Sequence, residues 1–411
     1  MLRKFTSAFA VLALSMPAPA ADWPQWRGPD RTGISKDSDL LQEWPKDGPK
    51  LRWKIIDLGT GYSAPAVVKG VVYIQTTREK DELVVALDEK TGKESWATKI
   101  GKIGVNRGPQ YPGTRATPTV DSDKLYCLAS DGELNCLDIK GAVIWHKNLA
   151  KDFDGAVGSW AYTESVLVDG DAVICTPGGK KATLASLKKS DGSVIWKSEV
   201  PGGDIADYAS IMAVEVGGKK QYVQYMRNAL IGVDAKTGKF LWKYAATQDQ
   251  GASMLTPVVY KDSVFVAGAR KGGGLVSLKA EGESVTAKEV YFDKNVAPGI
   301  GGAVLLDGFL YGFSGANLFC AEFATGTIQW KDKSVGPASV CYADGRLYVR
   351  GHSGEVALVE ANPKAYAEKG RFKQPEKTKT PGWPHPVVAN GGFYLRDMGV
   401  LLCYDVAAPE K

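Results

Sequence analysis

Apolar residues along the chain fall in short runs of strand length, separated by glycine-bearing turns, and the arrangement recurs. The first copy opens on a small residue and proline (Ala64-Pro65-Ala66-Val67) and passes through a turn to an apolar–aromatic pair, Val72-Tyr73. A strand ending in Ala86-Leu87-Asp88, a Thr91-Gly92 turn and Trp96 complete it. Later residues in the Tyr73 position are Tyr126, Ile174, Tyr222, Phe265, Tyr311, Tyr348 and Tyr394. The 321 residues from Tyr73 to Tyr394 make seven steps, a mean of about 46. Four short strands at that period predict propeller blades rather than the units of a helical solenoid.

A second column supports the register. One position in the third strand of each unit reads Ala86, Cys136, Ser186, Gly232, Ser277, Cys320, Ala357 and Cys403. All are small, as a site close to the neighbouring blade requires, because a larger side chain would overpack it. Ten residues further on come Trp96, Trp196, Trp242 and Trp330, with Trp145 nine residues on. Burying each indole is worth ~2–3 kcal/mol, so these read as staples between blades. Units five and seven carry Tyr291 and Phe372 instead. The eighth stops at Cys403-Tyr404-Asp405 without a fourth strand, while Leu51–Ile55 brings an unclaimed Trp53 at the other end. The expected fold is all-β: an eight-bladed β-propeller of four-stranded blades over residues 51–408. An N-terminal strand pairing into the last blade would close it and hide its edge strands. Residues 21–50, with Trp23, Trp26 and Trp44, are expected to form an extension along the outside of the propeller.

Composition matters chiefly at the N-terminus. Arg3 and Lys4 precede an apolar stretch from Phe5 to Met16, and Ala18-Pro19-Ala20 places small residues before a cut between Ala20 and Ala21. Residues 1–20 therefore read as a cleavable signal peptide, too short to span a bilayer. No later stretch is apolar enough to be a transmembrane segment. The expectation is a soluble monomer in the periplasm or secreted. Lys and Arg number 51 against 46 Asp and Glu, a balance too even to argue for nucleic acid. Only 3 His argue against a histidine-rich metal centre.

The pattern from Ala86 through Asp88, Thr91 and Gly92 to Trp96, with Gly232 to Trp242 close to it, resembles the tryptophan-docking repeat of quinoprotein-type, or PQQ-like, β-propellers. Trp23-Pro-Gln-Trp26-Arg27-Gly28-Pro29, Ala116-Thr-Pro-Thr-Val120 and Trp383-Pro-His385-Pro-Val387 are similar to a secreted bacterial branch of that superfamily, the branch often labelled after the assembly factor BamB. The resemblance covers the chain beyond the leader and is specific for fold; for function it implies either a dehydrogenase or a scaffold. A PQQ dehydrogenase would imply calcium held by carboxylate and amide oxygens, an aspartate base and often adjacent cysteines. The chain has no adjacent cysteine pair and no Cys-x-x-Cys-His haem signature.

Propeller ligands usually sit over the central channel. The residues before each first-strand proline, or its equivalent, read Ala64, Thr117, Glu164, Ser210, Thr256, Gly301, Ser339 and His385, of which only Glu164 and His385 titrate. The loops feeding that end supply Tyr111, Arg115, Trp160 and Tyr208. Aromatic and guanidinium groups together suit a planar or anionic ligand, and equally a protein partner. The candidate ligand site at the channel mouth is thus Tyr111, Arg115, Trp160, Glu164, Tyr208 and His385, with a pH-dependent charge expected on His385. Cys127 and Cys136 flank an Asp131-Gly132 turn that would set them opposite each other. They could form a cross-strand disulfide, or all six cysteines could be free buried thiols. The expected function is a non-catalytic binding or scaffold propeller for an unknown protein or small molecule, without metal or cofactor. A PQQ- and calcium-dependent oxidoreductase of an alcohol or sugar, and a structural member of an outer-membrane assembly complex, are the alternatives.

Overall fold

In a computed structural model, which describes residues 21–108, 111, 113–249 and 253–409, eight four-stranded antiparallel sheets follow one another along the chain. The proposed leader lies outside the described residues. Each of the first seven blades is a meander from an innermost to an outermost strand, as in blade 1: Ala66–Val68, Val71–Arg78, Asp81–Asp88 and Glu94–Lys102. The eighth has Val387–Ala389, Gly392–Asp397 and Val400–Asp405, and takes Lys50–Ile55 as its fourth strand. Trp53 pairs with Cys403 and Lys50 with Asp405, so sequence from the two ends closes the ring. One short helix, Leu149–Asp152, is the only helix among the described residues. Among the described residues no helix is long and apolar enough to cross a membrane.

The repeat pattern has a direct physical cause. Across three strands of blade 1, Tyr73 pairs with Ala86 and Ala86 with Trp96; Tyr126–Cys136–Trp145 and Tyr311–Cys320–Trp330 form the same rung. The expected reason for the small column, close approach of the neighbouring blade, is corrected: the residue is small because the indole of its own blade lies over it. A Cβ on Gly232 would come within 2.3 Å of Trp242. The indole then reaches the turn of the next blade. Gly92, Gly141, Gly192 and Gly238, all at positive φ, lie so close beneath Trp53, Trp96, Trp145 and Trp196 that an added Cβ would meet each ring at 2.8 Å or less. Trp53, Trp145, Trp196 and Trp330 each donate Nε1–H to a carbonyl of the neighbouring blade, at 2.8–3.1 Å.

Three details of the expected register shift. In blade 4 Tyr222 pairs with Val233, and Gly232 with Val223. In blade 5 Leu275, not Ser277, stands between Phe265 and Tyr291. In blade 7 Tyr348 pairs with Leu358 rather than Ala357. The gap between blades 7 and 8 is filled from outside the repeat by Trp44, which packs on Tyr348, Phe372 and Phe393 at 5.4–5.8 Å.

The hairpin expected to juxtapose Cys127 and Cys136 is also corrected. Gly132 adopts φ +94° and donates to Ala129 O, and Ala129 donates to Glu133 O, so the loop has three residues rather than two. Cys127 therefore pairs with Asn135, and Cys136 with Tyr126. A one-residue slip sends the two side chains to opposite faces. Both thiols are free and buried, in different core clusters.

Residues 22–35 do not run along the outside. Trp23 exchanges backbone hydrogen bonds with Val67 of blade 1, and Pro24 O accepts from Val120 of blade 2. Arg31 donates to Ser165 O and Val166 O of blade 3, and Arg27 to Ala303 O of blade 6. Gly33 and Ser35 pair with Tyr342 of blade 7. A segment bonded to the innermost strands of blades on opposite sides of the ring crosses the axis and fills the channel. Only residues from Leu40 to Trp44 lie on the rim, bonded to Val406 and Lys369.

Candidate functional site

Two residues before the innermost strand of seven blades stand Ala64, Thr117, Ser165, Ser210, Thr256, Gly301 and His385. Their hydroxyls tie neighbouring blades together: Thr117 N–H donates to Ser165 Oγ at 2.8 Å, and Ser165 N–H to Ser210 Oγ at 3.0 Å. Blade 3 thus contributes Ser165, and the expectation that Glu164 faces the axis is off by one. The chain approaches the strand nearly extended, so adjacent side chains point to opposite sides. Glu164 turns into the blade, where its carboxylate accepts from Thr176 N at 2.8 Å and Thr176 Oγ1 at 2.9 Å. Burial raises its pKa to about 8, against the hydrogen bonds from Thr176 and the field of Arg31.

Two residues further upstream the same periodicity builds a wall. Tyr62, Arg115, Thr163, Tyr208, Met254 and Trp383 occupy this position in blades 1, 2, 3, 4, 5 and 8, and all line one cavity of ≈190 Å³. Tyr111 and Trp160 join them from the loops before blades 2 and 3. The rings touch in sequence: Tyr62 to Trp383 at 5.2 Å, Trp383 to Tyr111 edge-on at 4.5 Å, Tyr111 to Trp160 at 6.3 Å and Trp160 to Tyr208 at 5.3 Å. Such tilted and edge-on pairs satisfy the quadrupoles of the rings and stiffen the wall. On its inner side the cavity is bounded by Trp26 of the axial segment, whose ring lies 4.6 Å from His385 and whose Nε1–H donates to Thr256 Oγ1 at 2.9 Å.

The structure thus gathers Tyr111, Arg115, Trp160, Tyr208 and His385 around one cavity and leaves Glu164 out. Sequence reasoning missed Trp26, Tyr62, Thr163 and Trp383. A column two residues before the small axial one would have found the last three. Trp26 carried no such signal, because its position depends on where the N-terminal segment runs.

Among the described residues Arg115 is the only charged one lining the cavity. Its Nη groups donate to Trp160 O at 3.1 Å and Tyr111 O at 2.6 Å, and its guanidinium lies 5.9 Å from the centre of Tyr62. Burial lowers its pKa, and burial raises that of Tyr208 to about 12. His385 does not titrate as expected. Its Nε2 lies 2.8 Å from Ile300 O and its Nδ1 3.2 Å from Arg27 Nη1, so Nε2 donates, Nδ1 accepts and the ring is neutral. Burial and the neighbouring Arg27 push its pKa down to about 3, overturning the expected charge change between pH 5 and 8.

These residues do not fit a quinone with calcium. The cation would need carboxylate oxygens, and the sole axial candidate, Glu164, is turned away and committed to Thr176. The several acidic substituents of the quinone would meet a single guanidinium in the described wall, with no second cation to balance them. Among the described residues no three His, Cys, Asp or Glu gather as a ligand set.

A family model described as outer membrane protein assembly factor BamB matches residues 29–159 and 80–332. The outer membrane protein assembly factor BamB of Moranella endobia (strain PCIT) is 28% identical over 223 residues, 53% of this chain and 51% of that protein, so the chain spans about half the length of this relative. Among solved structures, the quinohemoprotein alcohol dehydrogenase of Comamonas testosteroni aligns with TM-score 0.67 at 14% identity, over 97% of this chain and 82% of that one. BamB of Moraxella catarrhalis aligns with TM-score 0.60 at 15% identity, over 89% of this chain and all of the other. At these identities the structural likenesses speak for the fold, whereas the family match covers well over half of the sequence. The chain belongs to the family described as outer membrane protein assembly factor BamB.

Proposed function

We propose that this protein is a periplasmic, monomeric propeller that binds a partner or ligand at its channel mouth and does no chemistry of its own. The observation that carries this reading is the continuous aromatic wall, built by blades 8, 1, 2, 3 and 4 around one cavity and backed by the axial segment. Tyrosine, tryptophan and arginine held rigidly around a recess are what binding hot spots use, because they present area at low entropic cost. The reading without catalysis is supported by the lining: its described residues include no carboxylate, and its histidine is held neutral between Arg27 and a carbonyl. Membership of an envelope assembly is supported by the family, and export by the N-terminal sequence pattern.

Photo-cross-linking in cells from a benzophenone amino acid at position 111 or 383 tests the reading. Discrete adducts from these positions, and none from position 286 on the far outer strand, are expected. Equal labelling from all three sites would remove the mouth as the binding site. Added PQQ and calcium should support no alcohol-dependent dye reduction. Turnover that disappears in Glu164→Gln would replace this reading by the oxidoreductase one.

A further inference from the structure

We infer that the mouth cavity is a receptor for a single aromatic ring bearing an anionic oxygen substituent, that is, a monocyclic aromatic carboxylate. This rests on the binding reading above and specifies the chemistry of its ligand.

Size comes first. A dry protein cavity of about 150 Å³ holds benzene, and this recess measures ≈190 Å³, room for one substituted ring within its walls. Shape and polarisability come second, since Trp160, Tyr111, Trp383 and Tyr62 present tilted faces and edges to the same space. The polar end comes third. The hydroxyl of Thr163, which lines the cavity, is buried and has no hydrogen-bond partner within the described protein, whereas that of Tyr62 faces Thr380. A buried hydroxyl without a partner costs about 1–3 kcal/mol, a cost that a ligand acceptor would remove.

Charge decides between ligands of equal size. Aromatic cages commonly take cations, yet this cavity has a guanidinium in its wall and no carboxylate. A second guanidinium, Arg27, stands behind His385. The nearby acids are engaged elsewhere: Glu82 faces Ser130, Glu164 faces Thr176, Asp397 pairs with Lys377 and Thr378, and Asp207, beside Tyr208, accepts from Ser253 N. The charge carried by the described wall itself is therefore positive and favours an anion.

The test uses the full mature chain with benzoate, benzylamine and methyl glucoside as probes, read by calorimetry and by fluorescence of the wall tryptophans. Benzoate is expected to bind at one site, at least tenfold more tightly than benzylamine or the glucoside. Thr163→Val should weaken benzoate about tenfold, the equivalent of one lost hydrogen bond, and Trp383→Ala should abolish it. Unchanged melting temperatures would show that both variants fold. No benzoate binding, equal binding of benzylamine, or indifference to both variants overturns the inference. If that happens while the cross-links from positions 111 and 383 persist, the ligand class fails and the binding site stands. If the cross-links fail as well, both fall.

Discussion

Glu164, turned into blade 3, and His385, at the mouth, are both held neutral by burial, which shifts a carboxyl and an imidazole in opposite directions. The protonated form of Glu164 is favoured in the fold, its pKa of about 8 lying above the usual carboxylate value of 4.5. Its contribution to stability is complete below about pH 4.5 and is lost as pH rises through about 8. Glu164→Gln should therefore reduce the fall in melting temperature between about pH 5 and pH 9 relative to wild type, measured by calorimetry. An unchanged fall would show that the carboxylate is ionised in the fold. The imidazole of His385 is depressed to about 3, so its contribution is present above the usual 6.5 and lost on acidification toward 3. His385 itself should accordingly add nothing to the pH dependence of anion binding between about pH 8 and 5: His385→Gln should leave the shape of that profile unchanged, measured with benzoate by calorimetry. The corrected hairpin register leads to a chemical count: all six cysteines should react as free thiols in non-reducing denaturant.

The staple is the unit of stability at the level of strands and blades. Trp242 is 5% exposed, lies over Gly232 and donates to Gln221 Oε1 at 2.8 Å. Its replacement by alanine should cost about 3–5 kcal/mol, read from the urea midpoint. Trp383→Ala, at the mouth, should move that midpoint far less, and equal shifts would contradict the assignment. Gly232→Ala tests the same rung from the other side, since a Cβ 2.3 Å from the indole must displace it; about 1–3 kcal/mol is expected from overpacking. Trp44 extends the logic beyond the repeat. Blade 7 ends in Phe372, too small to bridge alone, and Trp44 completes the interface with Tyr348 and Phe393.

Closure of the whole molecule depends on its N-terminal sequence twice, through Lys50–Ile55 in the eighth sheet and through the segment that crosses the axis. That segment begins at Ala21, whose backbone nitrogen donates to Asp37 Oδ1 at 2.8 Å, while Gly391 of blade 8 donates to the other oxygen at 2.9 Å. If the leader is cut before Ala21, the donor becomes an α-ammonium facing a buried carboxylate, and hydrogen bonds to charged groups are the stronger ones. The processed chain should melt higher than a chain retaining residues 1–20, with a difference that Asp37→Asn removes. Equal melting temperatures for the processed and unprocessed chains would show that the new charge is not used. Trp26→Ala should open the inner side of the cavity and abolish binding at the mouth with little loss of ring stability.

Much of this was legible in the residues. Blade number, closure by Trp53 and the small column under each indole follow from short-range rules: strand periodicity, turn glycines and the bulk of tryptophan recur every 46 residues or so. Five mouth residues were legible because they lie in loops that any eight-bladed ring brings to one end. Other features belong to the tertiary structure alone. Glu164 and Ser165 are adjacent, and only the backbone's approach to the strand chose which would face the axis. The Cys127 register hung on one extra loop residue, a difference that local propensity does not resolve. Trp26 and Trp44 carry no repeat signal, since each fills a space defined by blades hundreds of residues away. The neutrality of His385 was decided first by burial and then by Arg27, distant in sequence and in contact only once the ring had closed around the axial segment.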